Sequence, residues 1–204
     1  MKSARRSSRR NRRSGTDAHS HSMIGPDDIV VDHARAYWHE AGHVLVARTL
    51  EVPVTGVIYT NLKRLPDSRV SGNLQTVYYM TRETNPERRA AEEADWVRFF
   101  GVEKVCTLGA AGMASEEMYS APAQLALEDG ERIKSRTNGT RTIQDFLPQA
   151  SEILTANAET LKTLAVRLIE NGHRVLDQVK SKLVLPQVEW IITRDEIDSI
   201  CRRR

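Results

Sequence analysis

The chain has only two cysteines, Cys106 and Cys201, among its 204 residues. Two cysteines cannot build the disulfide framework of small secreted domains, so an oxidising compartment is not indicated. Cys106 falls in an apolar helical run and is predicted to be a core residue.

The sequence also lacks any run of about 18 apolar residues, so no membrane span is expected. Residues 1–25 lack the apolar segment of a secretory signal. We therefore expect a cytoplasmic location.

Positive charge is concentrated at the two ends of the chain. The first thirteen residues carry seven Lys or Arg and no acid, and the chain ends in three arginines. The intervening residues 14–201 carry 20 basic and 27 acidic side chains, so the body is mildly acidic. We predict that the Arg- and Ser-rich tail, residues 1–25, is disordered. It is either a weak contact for nucleic acid or an anionic surface, or a solubilising extension. His19 and His21 in this tail are weak metal candidates.

Residues 26–204 are predicted to form one mainly helical domain with a small antiparallel sheet, an α+β fold. A first helix begins near Pro26 and ends at about Leu50, before Pro53. Strands at 54–60 and 74–80 follow it, joined by a polar turn at 61–68.

Helices account for most of the remaining chain. They are expected at 86–100, 102–119, 122–136, 143–170 and 173–183. Small residues on the second of these, Gly109 to Gly112 and Ala114, permit close helix packing. Asn171-Gly172 is predicted to end the long helix. Thr193 and Glu196 form a capping box that opens a final helix to Cys201.

The most informative segment is His39-Glu40-Ala41-Gly42-His43, which has the H-E-x-x-H spacing of zinc peptidases. Residues four apart share a helix face, so the imidazoles of His39 and His43 can aim at one metal ion. Glu40 lies beside that ion, where it can take a proton from water. The alternative is an ordinary helix with two surface histidines. The apolar residues around the motif argue against it, because they predict a buried helix whose histidines need partners.

A zinc site also needs a third protein ligand and an open position. No third His follows closely, so the H-E-x-x-H-x-x-G-x-x-H pattern is absent. The downstream acids that can supply a ligand are Glu116, Glu117, Glu128, Asp129 and Glu131. Spacing alone does not choose among them, and each alone is more typical of a solvated helix face. A set of two His and one carboxylate with an open position favours zinc over other divalent metals.

The chain resembles the peptidase domain of the FtsH family of ATP-dependent zinc metalloproteases. Segment 36–46, AYWHEAGHVLV, is similar to that family's AYHEAGHALV, with Trp38 as one extra residue. Segment 112–119, GMASEEMY, resembles its GGRxAEE block, and segment 128–132, EDGER, resembles its NDLER block. Weaker likenesses follow at 150–157 and 192–197. The resemblance runs in order over about residues 27–201.

This resemblance implies that Asp129 is the third zinc ligand, beside His39 and His43, and that Glu40 is the catalytic base. The implied activity is that of a zinc metalloendopeptidase acting on unstructured proteins or peptides. In it, a water molecule activated by zinc and Glu40 attacks the peptide bond. The resemblance also implies a homo-oligomer as the assembled state.

The chain departs from the family pattern at several places. It has no G-x-x-x-x-G-K-[ST] loop, so we expect any ATPase to be a separate chain and the peptidase to stand alone without a membrane anchor. Met113 replaces the Arg of the family's GGR block, and segment 121–127 replaces a Gly-rich stretch before Asp129. About 15–20 extra residues, near 173–190, precede the last helix.

Two other functions stay open. One is a regulatory protease dedicated to a single repressor-like substrate, localised to DNA by the Arg-rich tail; the lack of a helix-turn-helix pattern weighs against it. The other is a non-catalytic adaptor that keeps the peptidase fold. Intact His39, Glu40 and His43 weigh against such a loss. A Glu40→Gln change distinguishes the classes, because it abolishes cleavage by a peptidase and leaves an adaptor unaffected.

Overall fold

The computed structural model describes residues 26–67, 69–78, 86–119 and 127–202. It is mostly helical with one small antiparallel sheet, as predicted. The helices are α1 Pro26–Thr49, α2 Pro86–Phe100, α3 Val102–Tyr119, α4 Leu127–Arg136, α5 Leu147–Ala156, α6 Ala158–Lys180 and α7 Arg194–Cys201, with a 3₁₀ turn at Ile143–Asp145. The strands are β1 Val54–Arg64, β2 Val70–Tyr78 and β3 Val188–Thr193. The predictions for the tail and for His19 and His21 lie outside the described residues.

Helix α1 is the central element of the fold. It packs against α3 and α6 and contacts both β1 and β2. Nearly every side chain from Tyr37 to Ala47 is buried or half-buried, which confirms the predicted burial of this helix. The helix ends where Glu51 adopts a left-handed backbone conformation with φ 61°. The N–H of Val52 then donates to the carbonyl of Ala47, which closes a Schellman-type cap.

The sheet has the strand order β2-β1-β3, with all neighbours antiparallel. The prediction of a turn at 61–68 was wrong at its start, because β1 continues to Arg64 through a bulge. Asn61 adopts φ 52° within that bulge, between the paired residues Thr60 and Lys63. Strand β2 correspondingly begins at Val70 rather than Leu74, while Tyr79 and Met80 lie outside the described residues.

The third strand and the break in the long helix were not predicted. Segment 143–170 is not one helix, since α5 ends at Ala156 and α6 begins at Ala158. Nor do Asn171 and Gly172 end a helix, because α6 runs through both to Lys180 and includes the start of the predicted 173–183 helix. A Cβ on Gly172 would lie 2.1 Å from the Tyr37 hydroxyl oxygen, so this glycine makes room for Tyr37.

Several local predictions are confirmed. Cys106 is fully buried in α3. The capping box of Thr193 and Glu196 opens α7, with the Thr193 N–H donating to the Glu196 carboxylate at 2.9 Å. Helix α4 is present, although its predicted start at 122–126 lies outside the described residues. Across the described part of the chain, no helix combines the length and apolarity needed to cross a membrane.

Candidate metal centre

Three buried side chains from two helices converge at one point. Helix α1 supplies His39 and His43, and α4 supplies Asp129; each residue is less than a tenth exposed. The Nε2 atoms of the two imidazoles lie 3.0 Å apart. Oδ2 of Asp129 lies 3.3 Å from Nε2 of His39 and 3.4 Å from Nε2 of His43. The three ligand atoms thus form a nearly equilateral triangle.

The outer nitrogens of both rings have hydrogen-bond partners that determine where the ring protons sit. Nδ1 of His39 lies 2.7 Å from Oε1 of Glu116, and Nδ1 of His43 lies 2.9 Å from the carbonyl oxygen of Leu108. A carboxylate and a carbonyl only accept, so both Nδ1 atoms carry hydrogen. When each ring is neutral, the bare Nε2 atoms therefore point at one another and at Asp129. Such an arrangement can be stabilised by a metal ion at its centre or by a proton on one of the rings.

The dimensions of the triangle suit a small divalent metal ion. Ligand atoms at zinc distances of about 2.0–2.1 Å in a tetrahedron are separated by about 3.3–3.4 Å. The observed separations of 3.0–3.4 Å lie close to that value. Three protein donors also leave one tetrahedral position open. The group of His39, His43 and Asp129 can therefore hold a metal ion by donor type and by geometry.

Protonation of this group in the metal-free protein follows from its surroundings. Burial opposes the charged form of His39, but hydrogen bonds to Asp129 and Glu116 and the charge of Glu40 outweigh burial and raise the pKa of His39 to about 10. For Asp129, burial raises the pKa of the carboxyl group, whereas the two histidines lower it. The positive charge held by the histidine pair and its hydrogen bonding to the carboxylate prevail and hold the pKa of Asp129 well below its usual range. A proton on His39 thus takes the place of a metal cation.

Glycines at the contact between α1 and α3 create the space for His39. A Cβ on Gly112 would lie 2.2–2.5 Å from ring atoms of His39. A Cβ on Gly42, inside the motif, would lie 2.5 Å from the carbonyl oxygen of Ala111. Ser115 adds a hydrogen bond across the same contact, donating to the carbonyl of Trp38 at 2.6 Å. The small residues of α3 therefore allow α3 to pack directly against the imidazole of His39.

Glu40 faces the same cleft from the neighbouring position of α1. Its Oε2 accepts hydrogen bonds from the backbone N–H of Thr76 at 2.7 Å and from the Thr76 hydroxyl at 2.6 Å. The cleft has a volume of about 620 Å³ and is lined by residues of β2 as well as by the two histidines and Asp129. A half-buried carboxylate in this position can accept a proton from a small molecule bound in the cleft.

The other acids considered as ligands lie elsewhere. Glu117, Glu128 and Glu131 are exposed. Glu116 is fully buried but sits behind His39 rather than at the centre, and Nε of Arg35 lies 3.9 Å from its second oxygen. Sequence reasoning treated Glu116 only as a candidate ligand. Its place one helical turn beyond Gly112 was the signal that it shares the face in contact with α1.

A scan against models of known protein families found none that matches this chain, and a search of curated proteins found no significant match.

Proposed function

We propose that this protein is a zinc metalloendopeptidase of the FtsH type. The observation that carries the proposal is the convergence of Nε2 of His39, Nε2 of His43 and Oδ2 of Asp129 within 3.4 Å of one another. Glu40 lies in the same cleft. Two His and one carboxylate with an open fourth position are the donor set of catalytic zinc sites, and they distinguish zinc from metals that prefer all-oxygen ligands.

The roles of the side chains follow from their positions. His39, His43 and Asp129 would hold a zinc ion, which would supply Lewis acidity to lower the pKa of water and polarise a carbonyl. Glu40 accepts the proton of the attacking water and returns it to the leaving amine nitrogen. Glu116 and the Leu108 carbonyl keep the two rings in the orientation that presents Nε2 to the metal.

The outer edge of β2 favours an extended polypeptide as substrate. Strand β2 is at the edge of the sheet, and Gly72, Leu74 and Thr76 line the cleft. The N–H of Thr76 points away from β1, toward Glu40. By strand alternation, the backbone groups of Leu74 and Gly72 face the same way. Pairing of a substrate main chain with this edge lays its peptide bonds beside the metal ligands without reading much sequence.

Unstructured polypeptides are therefore the substrate class we propose. Strands inside a folded domain are already paired, whereas an unstructured segment has free main-chain groups for the edge of β2. A separate ATPase chain that unfolds proteins would extend the substrate range, and assembly into a homo-oligomer would present several clefts together.

Casein, which is largely unstructured, provides the test. The purified protein is incubated with labelled casein without ATP, in zinc-containing buffer and after removal of metal with a chelator. We expect cleavage that disappears with the chelator, returns with zinc and is absent in Glu40→Gln. Glu51→Gln is the matched control, because Glu51 is exposed in the turn just after the same helix. Cleavage that persists in Glu40→Gln would contradict the proposal.

A further inference from the structure

Thr76 makes the closest described contacts to the Glu40 carboxylate. It is only 4% exposed, and both of its donors, the backbone N–H and the hydroxyl, reach the same oxygen, Oε2. The hydroxyl also lies 3.4 Å from the Glu40 backbone carbonyl. Within the described part of the chain, no hydrogen bond is made to Oε1 of Glu40. One carboxylate oxygen is thus held by two donors, and the other is left for the cleft.

The sheet makes this arrangement possible. Thr76 lies opposite Val57 of β1, at a position where the N–H of β2 points outward. On an ordinary edge strand such a group faces solvent or another chain. Here α1 passes close enough for Glu40 to accept it. The hydroxyl adds a second donor from the same residue, so a single position of β2 binds the carboxylate through both main chain and side chain.

Two donors on one oxygen restrict the glutamate to one orientation. A free Glu side chain samples many rotamers, and ordering it has an entropic cost. Hydrogen bonds to a charged carboxylate are among the stronger ones in proteins. A general base transfers a proton efficiently only when it lies within hydrogen-bonding distance of that proton.

We propose that Thr76 is the positioning residue of the catalytic base, and that it aligns the outer edge of β2 with the metal ligands. This inference rests on the proposed function. The Thr76 N–H already donates to Glu40, so it cannot donate to a substrate. A substrate strand therefore pairs with the edge at Leu74 and Gly72. The reacting bond then lies at the end of that pairing, beside Glu40.

Substitution of Thr76 tests the role of its hydroxyl. Thr76→Val keeps the shape and the backbone N–H but removes the hydroxyl donor, and we expect kcat on casein-derived peptides to fall about tenfold with KM nearly unchanged. Thr76→Ser restores the hydroxyl and should stay within about twofold of wild type in kcat. Thr55→Val is the matched control, since Thr55 lies on β1 of the same sheet but does not line the cleft. If Thr76→Val does not fold, Thr76→Ala removes the same hydroxyl without adding bulk and should show the same loss.

The outcomes separate this inference from the proposed function. An active wild type with an equally active Thr76→Val would overturn the positioning role alone. Equal losses in Thr76→Ser and Thr76→Val would also overturn it, because they would point to packing rather than to the hydroxyl. A wild type that holds zinc but cleaves no casein would overturn the proposed function and the positioning role together. Zinc content measured in every variant should be unchanged.

Discussion

Nδ1 of His39 and Oε1 of Glu116 lie 2.7 Å apart although 77 positions separate the two residues in the chain. The contact joins α1 to α3 directly behind the candidate metal centre. Glu116 is fully buried, and Arg35 lies on its other side. A carboxylate in this position orients the ring and makes Nε2 a better electron donor toward a metal.

Glu116→Gln should weaken zinc binding about 10–100-fold. The amide keeps the size of the side chain but removes the charge that supports the His39 ring. The measurement is the zinc dissociation constant from competition with a chromogenic chelator. Glu117→Gln is the matched control, because Glu117 is the next residue of α3 and is exposed. Equal affinities in the two variants would show that Glu116 does not support the metal site.

Gly112→Ala should disrupt the centre although it replaces none of the three proposed ligands. The added methyl group would lie 2.2 Å from Cε1 of His39, and overpacking of a rigid helix contact costs about 1–3 kcal/mol. We expect a lower midpoint of thermal unfolding and zinc affinity reduced at least about tenfold, because the ring must move.

Gly130→Ala is the control for that change. Gly130 lies in α4 next to Asp129, and a Cβ there would meet no atom within 4 Å. Alanine should therefore be neutral or stabilise the helix by about 0.5–1 kcal/mol. A Gly112→Ala protein that binds zinc as tightly as Gly130→Ala would contradict the packing described for His39.

Metal binding should release protons near neutral pH. In the metal-free protein, the pKa of His39 is raised to about 10, above its ordinary value of 6.5. Its proton therefore stabilises the metal-free fold fully below pH 6.5, and this contribution is lost as pH rises through 10. A metal ion must displace that proton, so zinc affinity should rise with pH across this window. Calorimetry at pH 7.5 in buffers of different ionisation enthalpy should give about one proton released per zinc. No release would contradict the protonation described here.

Local signals in the sequence correctly predicted α1, the helix that carries His39 and His43. The H-E-x-x-H spacing requires only one helical turn to bring two imidazoles together, and the surrounding apolar residues predict burial. Cys106 and the capping box before α7 were likewise predictable, because each depends on residues within a few positions. The proximity of Asp129 to both rings depends on the packing of α4 near α1. It was expected from the family resemblance and not from spacing.

Features that depend on distant contacts escaped prediction. Strand β3 pairs with β1, more than 120 positions earlier. Its six residues, VEWIIT, have the β-branched and aromatic composition of a strand, but the start of this segment was assigned to the extra residues before the last helix. Asn171-Gly172 has the composition of a helix end, yet Tyr37 packs on the glycine and the Asn171 amide donates to the Ile191 carbonyl at 3.0 Å. These contacts favour continuation of α6 over the local stop signal. The contact of Thr76 with Glu40 also joins residues far apart in the sequence, so no local pattern predicts it.

The most direct test of the central claim is the zinc content of the purified protein after reconstitution and removal of free metal, measured by mass spectrometry of the metal. Wild type and Glu128→Ala, in which an exposed neighbouring acid is removed, should each hold about one zinc per chain. Asp129→Ala should hold little. A wild type that retains no zinc, or an Asp129→Ala protein that retains as much as wild type, would contradict the metal centre on which the account depends.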